Sequence, residues 1–282
     1  MVTVEFENID YMIIAERLIV TAHMDYNAMS DPTTNNRVGL IIIGDEILTG
    51  KRQDSHFSHA LTAFKPYGLR ISWVHMLGDD PVNLTRMLKQ TLTGPTPAFC
   101  FGGIGGTPDD RTRQCAAKAL DMPLIRHPDA VADIEGQFGK QAYPIRIKMA
   151  ELPEQSRIIP NPYNSIPGFS LNHHHFLPGF PELAHPMMEW VLDSYFSDHI
   201  TADLDKSLFA LDVMESRVVP IMEQLGKRFP SIELYSLPKM GTNPRIEMGV
   251  RGSDANMVYS AFQGLKSLLM VESIAFELVD GT

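Results

Sequence analysis

Between residues 102 and 110 the chain runs Gly102-Gly103-Ile104-Gly105-Gly106-Thr107-Pro108-Asp109-Asp110. Glycines at four of its first five positions let the backbone approach a ligand closely and take positive φ angles that side chains disfavour. The preceding segment, Ala98 to Phe101, reads as a buried strand, and Arg111 to Leu120 reads as a helix. A strand, a glycine turn and a helix N-terminus together suit an anion, because unpaired N–H groups and the helix dipole favour phosphate. The two aspartates invert that preference. Beside a phosphate they repel it unless a divalent cation lies between. The pattern points to a phosphorylated small molecule held with Mg²⁺ or a similar ion.

Two further acidic turns, Gly44-Asp45-Glu46 and Gly78-Asp79-Asp80, follow apolar segments in the same way. The acidic pairs at helix starts have a purely structural explanation beside the chemical one. Asp109 and Asp110 open a helix, and Asp79 and Asp80 precede Pro81 at another helix start, where carboxylates cap and complement the dipole without doing chemistry. Asn161, Asn164 and Ser165 fit a turn better than a ligand contact. The triplet His173-His174-His175 invites a metal reading. On a strand only His173 and His175 would share a face, no second cluster is placed to complete a site, and a partly exposed strand near the pocket is the simpler expectation.

The elements that must position these turns alternate. Val38–Ile43 is a β-branched run of the kind buried on both sheet faces. Asp54–Phe64 has helical spacing with Asp54 or Ser55 as N-cap, Arg70–Met76 is strand-like, and Pro81–Leu92 is a helix with Pro in its first turn. This alternation predicts an α/β domain with a three-layer, mainly parallel sheet, ligands binding beyond the carboxyl ends of its strands. Residues 144 to 182, rich in Pro, Asn and Gly, read as loops closing over a site, followed by a helix from Pro181 to Tyr195. Then come Leu208–Val213 (strand), Glu215–Phe229 (helix), Ile232–Tyr235 and Ile246–Val250 (strands), Asp254–Leu269 (helix) and Ser273–Val279 (strand). The order βαββαβ predicts a small ferredoxin-like α+β domain. The domains are thus expected at 37–200 and 201–282, with a linker around Ser197–Lys206, after a 1–36 extension that is a loose arm or precedes a true start at Met29.

The 282 residues, 44% hydrophobic and 21% charged, suit an ordinary globular protein with a sizeable core. A formal net charge of -10 argues against nucleic acid or membrane as partner. Cys100 and Cys115 read as buried reduced thiols, and the absence of a membrane-length apolar run or basic-then-apolar leader suggests a cytoplasmic protein. The methionines, among them Met187, Met188, Met214 and Met222, read as core filler.

Gly44-Asp45-Glu46-Ile47-Leu48-Thr49-Gly50 resembles the G-[TD]-E-[IL]-L-x-G element of molybdopterin-binding domains. The 102–110 run resembles their G-G-[LIV]-G-P-T-x-D-D loop, with Gly106 in place of the proline. Pro178-Gly179-Phe180-Pro181-Glu182 resembles P-G-x-P-x-E with one residue fewer before the Glu. In this order the three elements resemble the N-terminal half of CinA-type competence/damage-inducible proteins, relatives of the MoaB/Mog molybdenum-cofactor enzymes. The likeness covers about residues 37 to 282. The amidohydrolase half of full-length CinA proteins is not carried over.

By motif position the two catalytic aspartates of the Mog-type enzymes correspond to Asp79 and Asp110. Asp109 is a further metal candidate beside them. Gly44, Asp45, Glu46, Gly102, Gly103, Gly105, Gly106, Thr107, Pro178, Gly179 and Glu182 correspond to ligand-binding positions. The resemblance implies Mg²⁺- or Co²⁺-dependent pyrophosphate hydrolysis of ADP-ribose-like nucleotides, or molybdopterin binding with adenylyl transfer, and a homo-oligomer. A non-catalytic module binding a phosphorylated ligand is the competing class.

Overall fold

Strand β1 (Arg37–Ile43) is buried from its second residue to its last, as a β-branched run between two neighbours requires. The computed structural model describes residues 36–197, 203–239, 241 and 244–279. The expected loose arm or late start therefore lies outside the described residues, as does most of the expected linker. The chain divides into two compact units, one before and one after residue 200.

In the first unit β1 is followed by α1 (Asp45–Leu48), α2 (His56–Ala63), β2 (Arg70–Leu77), α3 (Pro81–Leu92), β3 (Ala98–Phe101) and α4 (Thr112–Ala119). Next come β4 (Leu124–Arg126), α5 (Pro128–Phe138), β5 (Glu151–Pro153), β6 (Arg157–Ile159), β7 (Gly168–Leu171), β8 (His174–Leu177) and α6 (Pro181–Tyr195). The main sheet has the order β2-β1-β3-β8-β7-β6. Its first four strands are parallel, β7 runs antiparallel to them, and the edge strand β6, antiparallel to β7, runs in their direction again.

Alternation along β1 assigns the two cores. Ile41 and Ile43 pack with Leu84, Leu88 and Leu92 of α3 and with Cys115 and Ala116 of α4. Leu40 and Ile42 face the other way, with Ala60 of α2 and Met187, Met188 and Val191 of α6. This is the expected three-layer α/β arrangement, and both cysteines are buried and free. Met214 departs from the core-filler expectation, being 78% exposed.

The stretch from 144 to 182 corrects the reading as loops. It contains β5 to β8, and β8 is an interior strand of the main sheet, paired with β3 from Ala98↔His174 to Phe101↔Leu177. These strands are only three or four residues long, so turn residues dominate the composition around them. His174 and His175 are fully buried there, not partly exposed. His175 Nδ1 lies 2.9 Å from the hydroxyl of Ser170, its partner across β7. Asn161 and Asn164 are turn residues: each side-chain carbonyl accepts a backbone N–H two residues on, at 3.0 and 3.1 Å.

The second unit comprises β9 (Leu204–Leu211), α7 (Glu215–Arg228), β10 (Glu233–Lys239), β11 (Arg245–Gly252), α8 (Ala255–Val271) and β12 (Phe276–Leu278). Its antiparallel sheet has the order β10-β11-β9-β12, the ferredoxin-like order, with Val218, Ile221 and Leu225 of α7 and Val258, Phe262 and Leu265 of α8 in its core. Asp205, expected in the linker, instead lies in β9 and holds Arg251 through its guanidinium.

Candidate functional site

The carboxyl ends of β1, β2, β3 and β8 lie along one edge of the sheet, and every acidic or glycine turn singled out above leaves from it. Two backbone bonds align them. Gly44 N–H donates to Leu77 O at 2.9 Å, and Gly102 N–H donates to Leu177 O at 3.0 Å. The turn at Gly102 needs glycine. Its φ is +107°, and a Cβ there would stand 2.1 Å from the carbonyl oxygen of Ile43. Gly103 follows at φ +68°. Gly179 packs on Gly102, where a Cβ would meet Gly102 Cα at 3.3 Å, so the Pro178-Gly179 turn closes directly over the glycine loop.

Among the described residues, the N–H groups of Gly103, Ile104, Gly105 and Gly106 donate to no protein acceptor. Four successive free donors leave a run of partial positive charge in the backbone that suits an anion. The loop is braced from beneath. Arg113, buried on α4, donates to Gly105 O at 2.6 Å, to Glu151 O at 3.3 Å and to Lys148 O. Thr112 N–H reaches Gly103 O at 2.9 Å.

The carboxylates do not all behave as simple caps. Asp80 does: it is the N-cap of α3, accepting from Val82 and Asn83 N–H. Asp79 instead reaches across to the turn after β1. Its Oδ2 accepts from Asp45 N–H at 3.0 Å, and its own N–H lies 3.3 Å from Asp45 Oδ1. Partial burial pushes the Asp79 carboxyl above its ordinary range, and the charges of Asp45, Glu46 and Asp109 add to the shift. Those four acidic groups therefore share one field. Glu46 folds its carboxylate back over Gly44.

Neither Asp109 nor Asp110 caps α4, whose N-cap is Arg111. Asp110 Oδ2 accepts from Thr107 N–H at 3.0 Å and from its hydroxyl, closing the end of the loop. Asp109 is fully exposed and held below the ordinary carboxylate range, chiefly by hydrogen bonding from Thr107 and from its own backbone. Glu182 is exposed in the first turn of α6. Among the described residues no three His, Cys, Asp or Glu side chains are grouped to hold a metal ion. Asp79, Asp109 and Asp110 thus share one edge of the sheet without forming a ready-made cage.

One cluster beside the site escaped the sequence reading. His56 of α2 stacks on Phe101 with ring centroids 4.3 Å apart, and its Nε2 donates to Gly179 O at 3.3 Å. His59 stacks on His185 of α6 at 3.7 Å. Burial lowers the His56 and His185 imidazoles, the latter to about 4 with help from His59 and His56. No one-dimensional spacing links residues 56 and 185; only the packing of α2 on α6 does.

Residues 39–197 match the family described as "probable molybdopterin binding domain". A protein of Metallosphaera sedula is 29% identical over 233 residues, covering 77% of this chain and 86% of that one. A CinA-like protein of Desulforapulum autotrophicum is 27% identical over 70% of this chain; the matched region spans 50% of that relative. Among solved structures, a CinA protein of unknown function from Thermoplasma acidophilum aligns at a TM-score of 0.52 with 26% identity, over 57% of this chain and 98% of that one.

Proposed function

The chain belongs to the molybdopterin-binding domain family as a MoaB/Mog-like, CinA-type protein, and from that premise we propose that it is a metal-dependent nucleotide pyrophosphatase acting on ADP-ribose-like substrates. One observation supports this reading above the rest: four unpartnered backbone donors at Gly103–Gly106 lie on the same sheet edge as the carboxylates of Asp45, Glu46, Asp79 and Asp109. Donors alone suit a phosphate. Carboxylates alone repel one. Together they suit a phosphate that arrives with a cation.

The donor set fits a hard ion. All its members are carboxylate oxygens, and Mg²⁺ characteristically takes one or two carboxylates, with substrate phosphate and water completing its shell. Asp79 and Asp109 would hold it, and Asp110 would orient the loop. When bound, such an ion neutralises charge developing on phosphate oxygens and can activate water. The protein's own part is positioning. The Gly103–Gly106 N–H groups cradle the pyrophosphate with little reorganisation, because Arg113 and Thr112 already hold the carbonyls of Gly105 and Gly103. Pro178-Gly179 shields the loop, and Glu46 and Asp45 line the approach.

Adenylyl transfer to molybdopterin is the second reading, favoured by the family's description. The test is AMP release from ADP-ribose and related dinucleotides with Mg²⁺, Mn²⁺ or Co²⁺, comparing the wild type with Asp79→Asn and Asp110→Asn. Metal-dependent release lost in both variants supports the pyrophosphatase. No release from any dinucleotide, with ATP consumed only when molybdopterin is supplied, supports the second reading. Binding without either reaction leaves a ligand-binding module.

A further inference from the structure

Three imidazoles meet where α2 packs against α6, beside the turn that closes over the glycine loop. His56 is 4% exposed, stacked on Phe101 and edge-on to His185, whose ring centroid lies 5.3 Å away. His59 stacks on His185 in turn. The Nε2 of His56 reaches Gly179 O, and Gly179 packs on Gly102. One intervening residue thus connects a titratable ring to the anion loop.

A carbonyl only accepts, so Nε2 carries the proton of the neutral His56 ring and Nδ1 carries none. Among the described residues that Nδ1 is buried without a hydrogen-bond partner, as are Nε2 of His59 and Nε2 of His185. A second proton on His56 would leave an N–H buried with no acceptor, beside two other rings able to take charge. The surroundings do little to hold it. Asp54 spends both carboxylate oxygens on the backbone N–H groups of His56 and Phe57, at 3.0 and 3.1 Å. Glu189 stands 3.4 Å from His59 but is 57% exposed, and Glu182 is exposed as well. Phe101 is neutral, and Arg52, 5.3 Å from the ring centroid of Phe180, adds a positive charge to the same turn. Burial lowers the His56 imidazole below its ordinary value, against the opposing effects of the Gly179 bond and of Asp54. Hydrating a protonated Nδ1 requires the ring to leave its place, and with it goes the donor to Gly179 O.

We infer that His56 is a positioning residue for the anion loop: neutral, it holds the Gly179 carbonyl and keeps the Pro178-Gly179 turn on Gly102; protonated, it releases the turn and the loop loosens. The turn is therefore held above the ordinary histidine value of 6.5 and let go as pH falls below it. The inference concerns the shape of the loop and applies whichever phosphorylated ligand the loop takes.

Amide hydrogen exchange of the ligand-free protein tests this, corrected for the intrinsic pH dependence of exchange. The reporter is the Gly102 N–H, bonded to Leu177 O at 3.0 Å at the root of the turn. Its protection should fall about tenfold or more from about pH 7.5 to about pH 5.5, while the amides of β1 keep theirs. His56→Gln keeps a side-chain N–H donor but cannot titrate, so it should retain the protection and lose the fall. His56→Phe, which fills the space without a donor, should lower protection at both pH values. Wild-type protection constant to within about twofold over this range overturns the inference, and so does an equal fall in His56→Gln. If circular dichroism shows that His56→Gln does not fold, the wild-type ring decides. Its NMR resonance must titrate with the midpoint at which protection is lost, and midpoints about one pH unit or more apart overturn the inference. Exchange is read without ligand or metal, so this result and the AMP-release test stand or fall separately.

Discussion

Asp45 and Asp79 exchange backbone-to-side-chain hydrogen bonds across two turns, each N–H donating to the other's carboxylate at 3.0 and 3.3 Å. The exchange joins the ends of β1 and β2 while bringing two negative charges together. Structure and repulsion are therefore built into the same contact.

The first prediction follows from that conflict. Because the Asp79 carboxyl is pushed above its ordinary range, the folded state holds the proton more tightly than the unfolded chain does. The penalty is absent at low pH and grows as pH rises through the ordinary aspartate value towards the shifted one. Asp79→Asn keeps an oxygen to accept Asp45 N–H. It should raise the Tm of the metal-free protein at about pH 7 and leave it unchanged near pH 3. A lower Tm at neutral pH would contradict the assignment.

Histidines give the opposite edge of the pH range. His185 is lowered to about 4 and His175 to about 3, both chiefly by burial. Their neutral forms contribute fully above the unfolded value of 6.5, and the contribution is lost as pH falls below it towards those values. Thermal melts should show Tm declining between about pH 6.5 and pH 4, with a shallower slope in His185→Gln. An unchanged slope in that variant would mean His185 is not among the groups responsible.

Glycine substitutions within the loop should diverge. Gly102→Ala meets a positive φ and the Ile43 carbonyl, and should cost about 2 kcal/mol or more by chemical denaturation. At Gly106 a Cβ would meet only Met149 and Ile145, at 3.7 to 3.8 Å. Gly106→Ala should be neutral or stabilising by up to about 1 kcal/mol, through the unfolded chain. Equal losses at both positions would refute this account of the loop.

Arg113 offers a test of the bracing. Arg113→Lys keeps the charge but cannot span the carbonyls of Gly105, Lys148 and Glu151 together. A loss of about 2–3 kcal/mol is expected, with weaker pyrophosphate binding at the loop. Wild-type stability in this variant would show that the loop holds its shape without the guanidinium.

The parallel core was legible because its strands announce themselves: Val38–Ile43 is an unbroken β-branched run, and the Gly-Asp turns fall where such strands end. Helix bounds were legible to within two residues, and Asp54, one of the two expected caps, accepts the N–H groups of His56 and Phe57, although the N-cap position itself falls at Ser55. A strand at the histidine triplet was expected, but its place in the interior of the sheet was hidden. His174 and His175 look solvent-facing in a sequence, and only Ser170 on the neighbouring strand makes His175 acceptable in the interior. Helix α5 passed unremarked, and β9 begins inside the expected linker because Asp205 looks like linker until Arg251 is seen beside it. At the site, residue identity was readable but partnership was not. Nothing in the sequence says that Asp79 answers to Asp45, or that Asp110 turns back to Thr107.

The placement of β8 between β3 and β7 also governs the timing of assembly. Leu177, which receives the Gly102 N–H, follows it by 75 residues, and Gly179 comes later still. At synthesis rates of about 5–20 residues per second, the glycine loop of a nascent chain waits several seconds for the strand that fixes it. During that interval β3 has an open edge, the state in which strands pair with the wrong partner. The anion cradle is thus among the last parts of its unit to become competent, and slowing translation just beyond residue 179 would give that strand time to dock before the second unit is made.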